Sequence, residues 1–363
     1  MSYSRNLKLL LTTRAIVDGG AERVFSTIAR SFAARGDRVT LAIDCAVPTE
    51  GLDATTNPRL VVLGGNHAAS TLRLAALLRD ERPAVAMAAV SGSCAKLAMA
   101  TALARTATPL LLSYHGFEEW RTGRLGAIAY YGMPLLGRAA SRIVAVSDGL
   151  RDDLVTLWGA DPAKTLRIYN PVSIDLEVAA ASAATLADRP PTIVAIGRLS
   201  VEKGMIDLVE AFARIDRADA RLVIGGDGPE RERIARRVSE LGLDARVRLA
   251  GYVEPCAFYR RARVVAVPSR TEAFGLVVAE ALAHGLPIVA TACAGPREIL
   301  GDGRWGRIVP IGDVEAMARG LEAALDDPGS PEERITRAAT FSTEAGFRQW
   351  ADLVDTLAAA PAT

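Results

Sequence analysis

Short apolar runs alternate along this chain with longer stretches whose apolar residues fall three or four positions apart. The first kind reads as buried strands and the second as helices that cover them. Strands are expected at Leu7–Leu11, Val39–Ile43, Leu60–Leu63, Val85–Ala89, Leu110–Ser113 and Ile143–Val146. Between the first two, Val24, Phe25, Ile28, Ala29 and Phe32 repeat at helical spacing over Ala21–Arg35, and Gly36 ends that helix. Strand, helix, strand in this order is the unit of a parallel sheet, so the fold class is α/β.

The pattern restarts at Thr192. Thr192–Ile196, Arg221–Gly225, Val247–Gly251, Val264–Val267 and Ile288–Ala290 read as strands, and beyond Pro310 the chain reads as helical, with Ala358–Thr363 fraying. Ser182–Pro191, rich in Ala and ending Arg189-Pro190-Pro191, reads as a linker. With 363 residues the chain has about twice the usual length of one domain. Two α/β domains are expected, over residues 1–180 and 190–340.

Composition narrows the functions. The net charge of +1 gives no global field for nucleic acid. Cys45, Cys94, Cys256 and Cys293 lack metal or redox spacing and read as buried thiols of a reducing cytosol. His67, His115 and His284 form no zinc motif. Leu7–Leu11, followed by Arg14, is too short for a secretory signal, and no apolar run spans a bilayer. A cytoplasmic location is expected.

Candidate chemistry gathers at strand ends. Val264–Thr291 reads strand, loop, helix, strand, with Glu272 in the loop and Glu280 inside a helix expected to begin near Phe274. The N–H groups of Phe274, Gly275 and Leu276 at the helix start favour an anion, and Gly275 lets it come close. Amide donors for phosphate beside carboxylate acceptors for hydroxyls suit a sugar nucleotide. Arg198 and Lys203 flank the loop after Thr192–Ile196 and would neutralise a diphosphate. Asp227, in Gly225-Gly226-Asp227-Gly228-Pro229, reads as a cap or turn residue, and Ser147-Asp148-Gly149 as a turn. In the first half, Gly19-Gly20 open a helix and admit a ligand, or simply make a tight turn. The unit lacks G-x-G-x-x-G, so the dinucleotide fingerprint fails even though Asp44 follows the second strand. His115, in Ser113-Tyr114-His115-Gly116, ends a strand on the ligand side of such sheets.

These motifs resemble retaining glycosyltransferase family 4, of the GT-B fold, in which two Rossmann-like domains face an interdomain cleft. The resemblance rests on Glu272 and Glu280 with Phe274-Gly275-Leu276 between them, on Gly197-Arg198-Leu199 with Glu202-Lys203-Gly204, and on Gly228-Pro229-Glu230. Gly19–Val24 and the terminal Phe341, Ser342, Phe347 and Trp350 match more loosely. It implies transfer of a sugar from a UDP- or GDP-sugar, with retention, to a glycan, lipid-linked or small-molecule acceptor. The setting it implies is the synthesis of cell-surface polysaccharide, lipopolysaccharide or glycolipid.

In that reading Glu272 holds the donor sugar's hydroxyls, Glu280 accepts from the ribose, Arg198 and Lys203 hold the diphosphate, and His115 positions the sugar. Gly19, Gly20, Phe274, Gly275 and Leu276 line the donor site, and Tyr252–Glu254 border the base. No cofactor and no metal are expected, and the helix about 342–360 returns to the first domain. Two rivals stand beside it: a non-catalytic sugar-nucleotide binder on the same fold, and a Rossmann oxidoreductase, which the missing fingerprint disfavours.

One further stretch stands out. Arg121 to Ser147 holds no acidic residue, and Arg121, Arg124, Arg138 and Arg142 bracket Tyr130, Tyr131, Leu135 and Leu136. It fits peripheral contact with anionic lipid. It fits better a helix packed on its sheet with arginines in solvent.

Overall fold

The computed structural model describes residues 6–16, 19–45, 57–174 and 186–360. The chain divides into two compact units, Met1–Pro171 with Thr343–Thr363, and Val172–Ser342.

The first unit is built on a parallel sheet of seven strands: β1 (Lys8–Thr13), β2 (Arg38–Ile43), β3 (Arg59–Val62), β4 (Val85–Ala89), β5 (Leu110–Tyr114), β6 (Arg142–Ala145) and β7 (Thr165–Arg167). Their order is β3-β2-β1-β4-β5-β6-β7. The chain winds outward from β1 to one edge and then from β4 to the other, so the order switches between β1 and β4. Ligands of open α/β sheets bind at the carboxyl ends of strands beside such a switch. The full burial of β4 and β5 explains their unbroken apolar sequence. The helix Gly20–Arg35 buries Val24, Phe25, Ile28 and Phe32, and Gly36 closes it in the left-handed conformation at φ 101°.

The terminal helix Thr343–Ala359 packs on this unit. Phe25 meets Trp350 edge-on at 6.3 Å, Phe32 meets Phe347 at 4.9 Å, and Arg35 pairs with Asp355 at 3.0 Å. The tail expected to fray from Ala358 is helical through Ala359; residues 361–363 lie outside the described residues.

The second unit carries six parallel strands: β8 (Thr192–Ile196), β9 (Arg221–Gly225), β10 (Val247–Gly251), β11 (Val264–Val267), β12 (Ile288–Thr291) and β13 (Arg307–Val309). Their order β10-β9-β8-β11-β12-β13 puts the switch between β8 and β11. Phe212, Leu208, Ile224, Val264 and Leu321 lie in its core.

Several expectations change. The edge strands β7 and β13, three residues each, are too short to show a period. Ser147-Asp148-Gly149 is a helix cap and not a plain turn: Ser147 Oγ accepts from Leu150 N at 3.1 Å at the head of Asp148–Thr156. Cys94 and Cys293 are buried as expected, but Cys45 is exposed and Cys256 half-buried; all four are free thiols. Of the expected linker, Ser182–Thr185 lie outside the described residues.

Candidate functional site

In the second unit the predicted residues collect at the switch. The loop after β8 runs Gly197–Gly204 and the loop after β11 runs Pro268–Gly275. Lys203 Nζ donates to Glu272 Oε2 at 2.5 Å, and Ser269 Oγ donates to the same oxygen at 3.3 Å. Both partners of the ion pair are largely shielded, with side-chain exposures of 26% and 18%. Backbone geometry enforces this meeting. Gly204 takes φ 64°, and a Cβ there would lie 2.1 Å from the Pro268 carbonyl oxygen, so only glycine lets the two loops approach. Arg198 is exposed, and its guanidinium has no hydrogen-bond partner among the described residues. Burial pulls the Glu202 carboxyl up, but hydrogen bonding from Ser200 and the backbone outweighs it, and the charges of Lys203 and Arg198 add to the lowering, so the carboxyl lies below its usual range.

The third loop of this cluster is Gly225–Glu230. Gly226 and Gly228 pack against the backbone of Gly197 and Leu199, and Leu199 N donates to the Asp227 carbonyl at 2.8 Å. Asp227 is a turn residue, its Oδ1 accepting from Gly228 N at 2.8 Å. The glycine-rich run thus acts as a backing plate for the Arg198 loop.

The helix expected to begin near Phe274 begins at Leu276. Gly275 is its N-cap at φ 94°, a left-handed conformation that turns the loop sharply into the helix. Phe274 is buried and stacks edge-on against Phe341 at 5.8 Å, so its side chain anchors the loop. Glu280 lies well down this helix and accepts from the hydroxyl of buried Tyr259 at 2.9 Å. The two carboxylates therefore occupy different environments, Glu272 beside a cation and Glu280 beside a phenol.

In the first unit His115 follows β5 and is part-buried. Its Nε2 lies 3.0 Å from Ser113 Oγ, and its Nδ1 is buried without a hydrogen-bond partner among the described residues. Burial lowers its pKa to about 4, so the ring is neutral near pH 7. Gly19, extended, caps the helix Gly20–Arg35, and the Glu22 carboxylate folds back against it.

The sequence reading missed Glu119. Its Oε2 accepts from Ser91 N at 2.7 Å and its Oε1 from His115 N at 3.2 Å. It thereby ties the end of β4 to the end of β5. Val90, between β4 and Ser91, holds φ 70° and ψ 137°, a conformation costly for a β-branched residue. Burial pushes the Glu119 carboxyl up to about 7 despite these N–H donors. An acidic residue four positions after a strand-end His was its only trace in the sequence. Tyr259 and Ser269 were also missed; each is ordinary in sequence and acquires a role only through folding.

Comparison with known proteins agrees with this geometry. Residues 18–176 match the description "Glycosyltransferase Family 4" and residues 180–341 match "Glycosyl transferases group 1". The lipopolysaccharide core biosynthesis glycosyltransferase LpsE of Rhizobium meliloti is 28% identical over 319 residues, 85% of this chain and 86% of that protein. The D-inositol 3-phosphate glycosyltransferase of Kribbella flavida is 35% identical over 63% of this chain and 60% of that protein. Among solved structures, Anabaena Alr3699/HepE in complex with UDP and glucose superposes with a TM-score of 0.80 at 19% identity, covering 96% of this chain and all (100%) of that one. Sucrose-phosphate synthase from Thermosynechococcus elongatus superposes at 0.82 with 22% identity over 98% and 100% of the two chains. The family matches reach across both units, and the fold matches reach across nearly the whole chain. The chain belongs to the family 4 glycosyltransferases and has their GT-B architecture of two Rossmann-like domains.

Proposed function

We propose that this enzyme transfers a hexosyl group from UDP to a hydroxyl of a glycan or lipid-linked acceptor, with retention at the anomeric carbon and without a bound divalent ion. The observation that carries the reading is the contact between Lys203 and Glu272 beside Arg198, at the switch between β8 and β11. The cations serve the leaving diphosphate, in the place a metal takes in other transferases. Glu272 accepts from hydroxyls of the sugar. Glu280, braced by Tyr259, accepts from the ribose. Neutral His115 keeps its Nδ1 for the transferred sugar. In the reaction the bond from the anomeric carbon to the diphosphate breaks, a bond to the acceptor oxygen forms, and the proton of that hydroxyl passes to the departing diphosphate oxygen.

The UDP complexes of HepE support UDP as the donor's nucleotide, and LpsE supports an acceptor in lipopolysaccharide or a related glycan. The four free thiols support a reducing cytosol as its place of action.

The test is release of UDP from a panel of UDP-hexoses with candidate acceptors, in excess chelator, with the anomeric configuration of product read by NMR. Turnover in chelator to a product of unchanged configuration supports the proposal. UDP binding with no turnover on any pair supports the non-catalytic binder instead.

A further inference from the structure

The acid-free stretch after Arg121 forms two short helices, Arg124–Tyr131 and Met133–Ala139, joined at Gly132. Their inward residues are Gly126, Ala129, Tyr130, Met133 and Gly137, all buried. Their outward residues follow the complementary spacing Arg124, Ile128, Tyr131, Leu135, Arg138. Ile128, Tyr131 and Leu135 are exposed to 46%, 68% and 71%, and both arginines are exposed. The stripe therefore reads cation, three apolar side chains, cation, across the two helices.

The patch extends sideways. Trp158 meets Tyr131 edge-on with ring centroids 5.4 Å apart, the ring of Trp120 lies 6.2 Å from that of Tyr131, and Leu157, next to Trp158, is 70% exposed. Such grouping of large apolar side chains on a surface marks an interaction site.

The charges select the partner. Arg124 and Arg138 have no ion-pair partner among the described residues. Arg121, at the rim, is held by Glu118 at 2.8 Å. A second copy meeting this stripe across a two-fold axis would set like charges against each other. A bilayer with anionic headgroups satisfies both features at once. Apolar side chains enter the boundary of the acyl chains, aromatic rings settle at headgroup level, and arginines reach the phosphates.

We propose that the face formed by Arg124, Ile128, Tyr131, Leu135 and Arg138, with Leu157 beside it, docks this enzyme on an anionic lipid surface. No helix among the described residues is long and apolar enough to cross a membrane, and this contact needs none.

The experiment is flotation of the full chain with phosphatidylcholine vesicles, with and without phosphatidylglycerol. The wild type floats with the anionic vesicles, and added salt weakens it. Arg124→Glu with Arg138→Glu loses about tenfold or more in partition. Leu135→Ser with Leu157→Ser also loses it, while keeping the wild-type melting temperature. Absence of flotation with anionic vesicles overturns the proposal. So does flotation that survives both double variants, or a dimer that Leu135→Ser dissociates in a chain that ignores vesicles. The assay needs no turnover, so its outcome is independent of the donor and acceptor assays.

Discussion

Lys203 and Glu272 meet at 2.5 Å although they lie on different loops, one after β8 and one after β11. The ammonium proposed for the diphosphate and the carboxylate proposed for a sugar hydroxyl thus hold each other in place. A charge-assisted contact between such groups is preorganisation, which spares the site reorganisation during the reaction.

Replacing the cations tests the diphosphate role. Arg198→Ala and Lys203→Ala should each weaken UDP by about tenfold or more, the cost of one charge-assisted hydrogen bond. Lys203→Ala should lower turnover further, because Glu272 loses its partner as well. Calorimetry with UDP and steady-state rates read the two effects. Unchanged UDP affinity in both variants returns these residues to a solvated surface.

The carboxylates should separate cleanly. Glu272→Gln keeps size and removes charge, so it should lower kcat more than it lowers UDP affinity. Glu280→Gln should weaken UDP, which has a ribose and no transferred sugar. Tyr259→Phe should do the same more mildly, because it frees the carboxylate from its brace. Should Glu272→Gln lose UDP while Glu280→Gln binds it normally, the roles are reversed.

The glycine between the loops carries a structural prediction. Gly204→Ala places a methyl group 2.1 Å from the Pro268 carbonyl oxygen and puts a side chain at φ 64°. The left-handed conformation alone costs about 1 kcal/mol, and the overlap adds to it. The urea midpoint should fall, and UDP affinity should fall with it because Lys203 is displaced. A variant of wild-type midpoint and affinity would show that the loops separate freely.

What could be read from sequence followed from how locally each signal is encoded. Buried parallel strands are continuous apolar runs, so β4, β5, β8 and β11 stand out unaided. Arg198, Lys203, Glu272 and Glu280 were legible because short spacings tie them to a strand end and a helix. The pairing of Lys203 with Glu272, 69 residues apart, was not legible, since only the sheet order brings β8 beside β11. Glu119 was hidden for the same reason. Its value lies in two backbone N–H groups, and backbone groups leave no mark in a sequence.

Glu119 gives the last prediction, and its sign can be worked out. Its carboxyl, at about 7 in the fold against an ordinary 4.5, binds its proton more tightly folded than unfolded. The fold is therefore favoured by protonation, and this contribution is fully present below about pH 4.5 and lost as pH rises through about 7. His115 acts in the opposite direction. Its ring, lowered to about 4 from 6.5, charges more readily unfolded, so its contribution is lost as pH falls through that window. The overlap makes wild-type stability alone uninformative, and the comparison must be with Glu119→Gln. That variant retains one acceptor for Ser91 N or His115 N and cannot ionise. Its stability relative to wild type should rise steadily from pH 4.5 to above 7, whatever its offset at low pH. Urea melts across this range read the difference. A constant difference would mean that Glu119 titrates like an exposed carboxylate, and that the tie between the ends of β4 and β5 is wetter than its hydrogen bonds indicate.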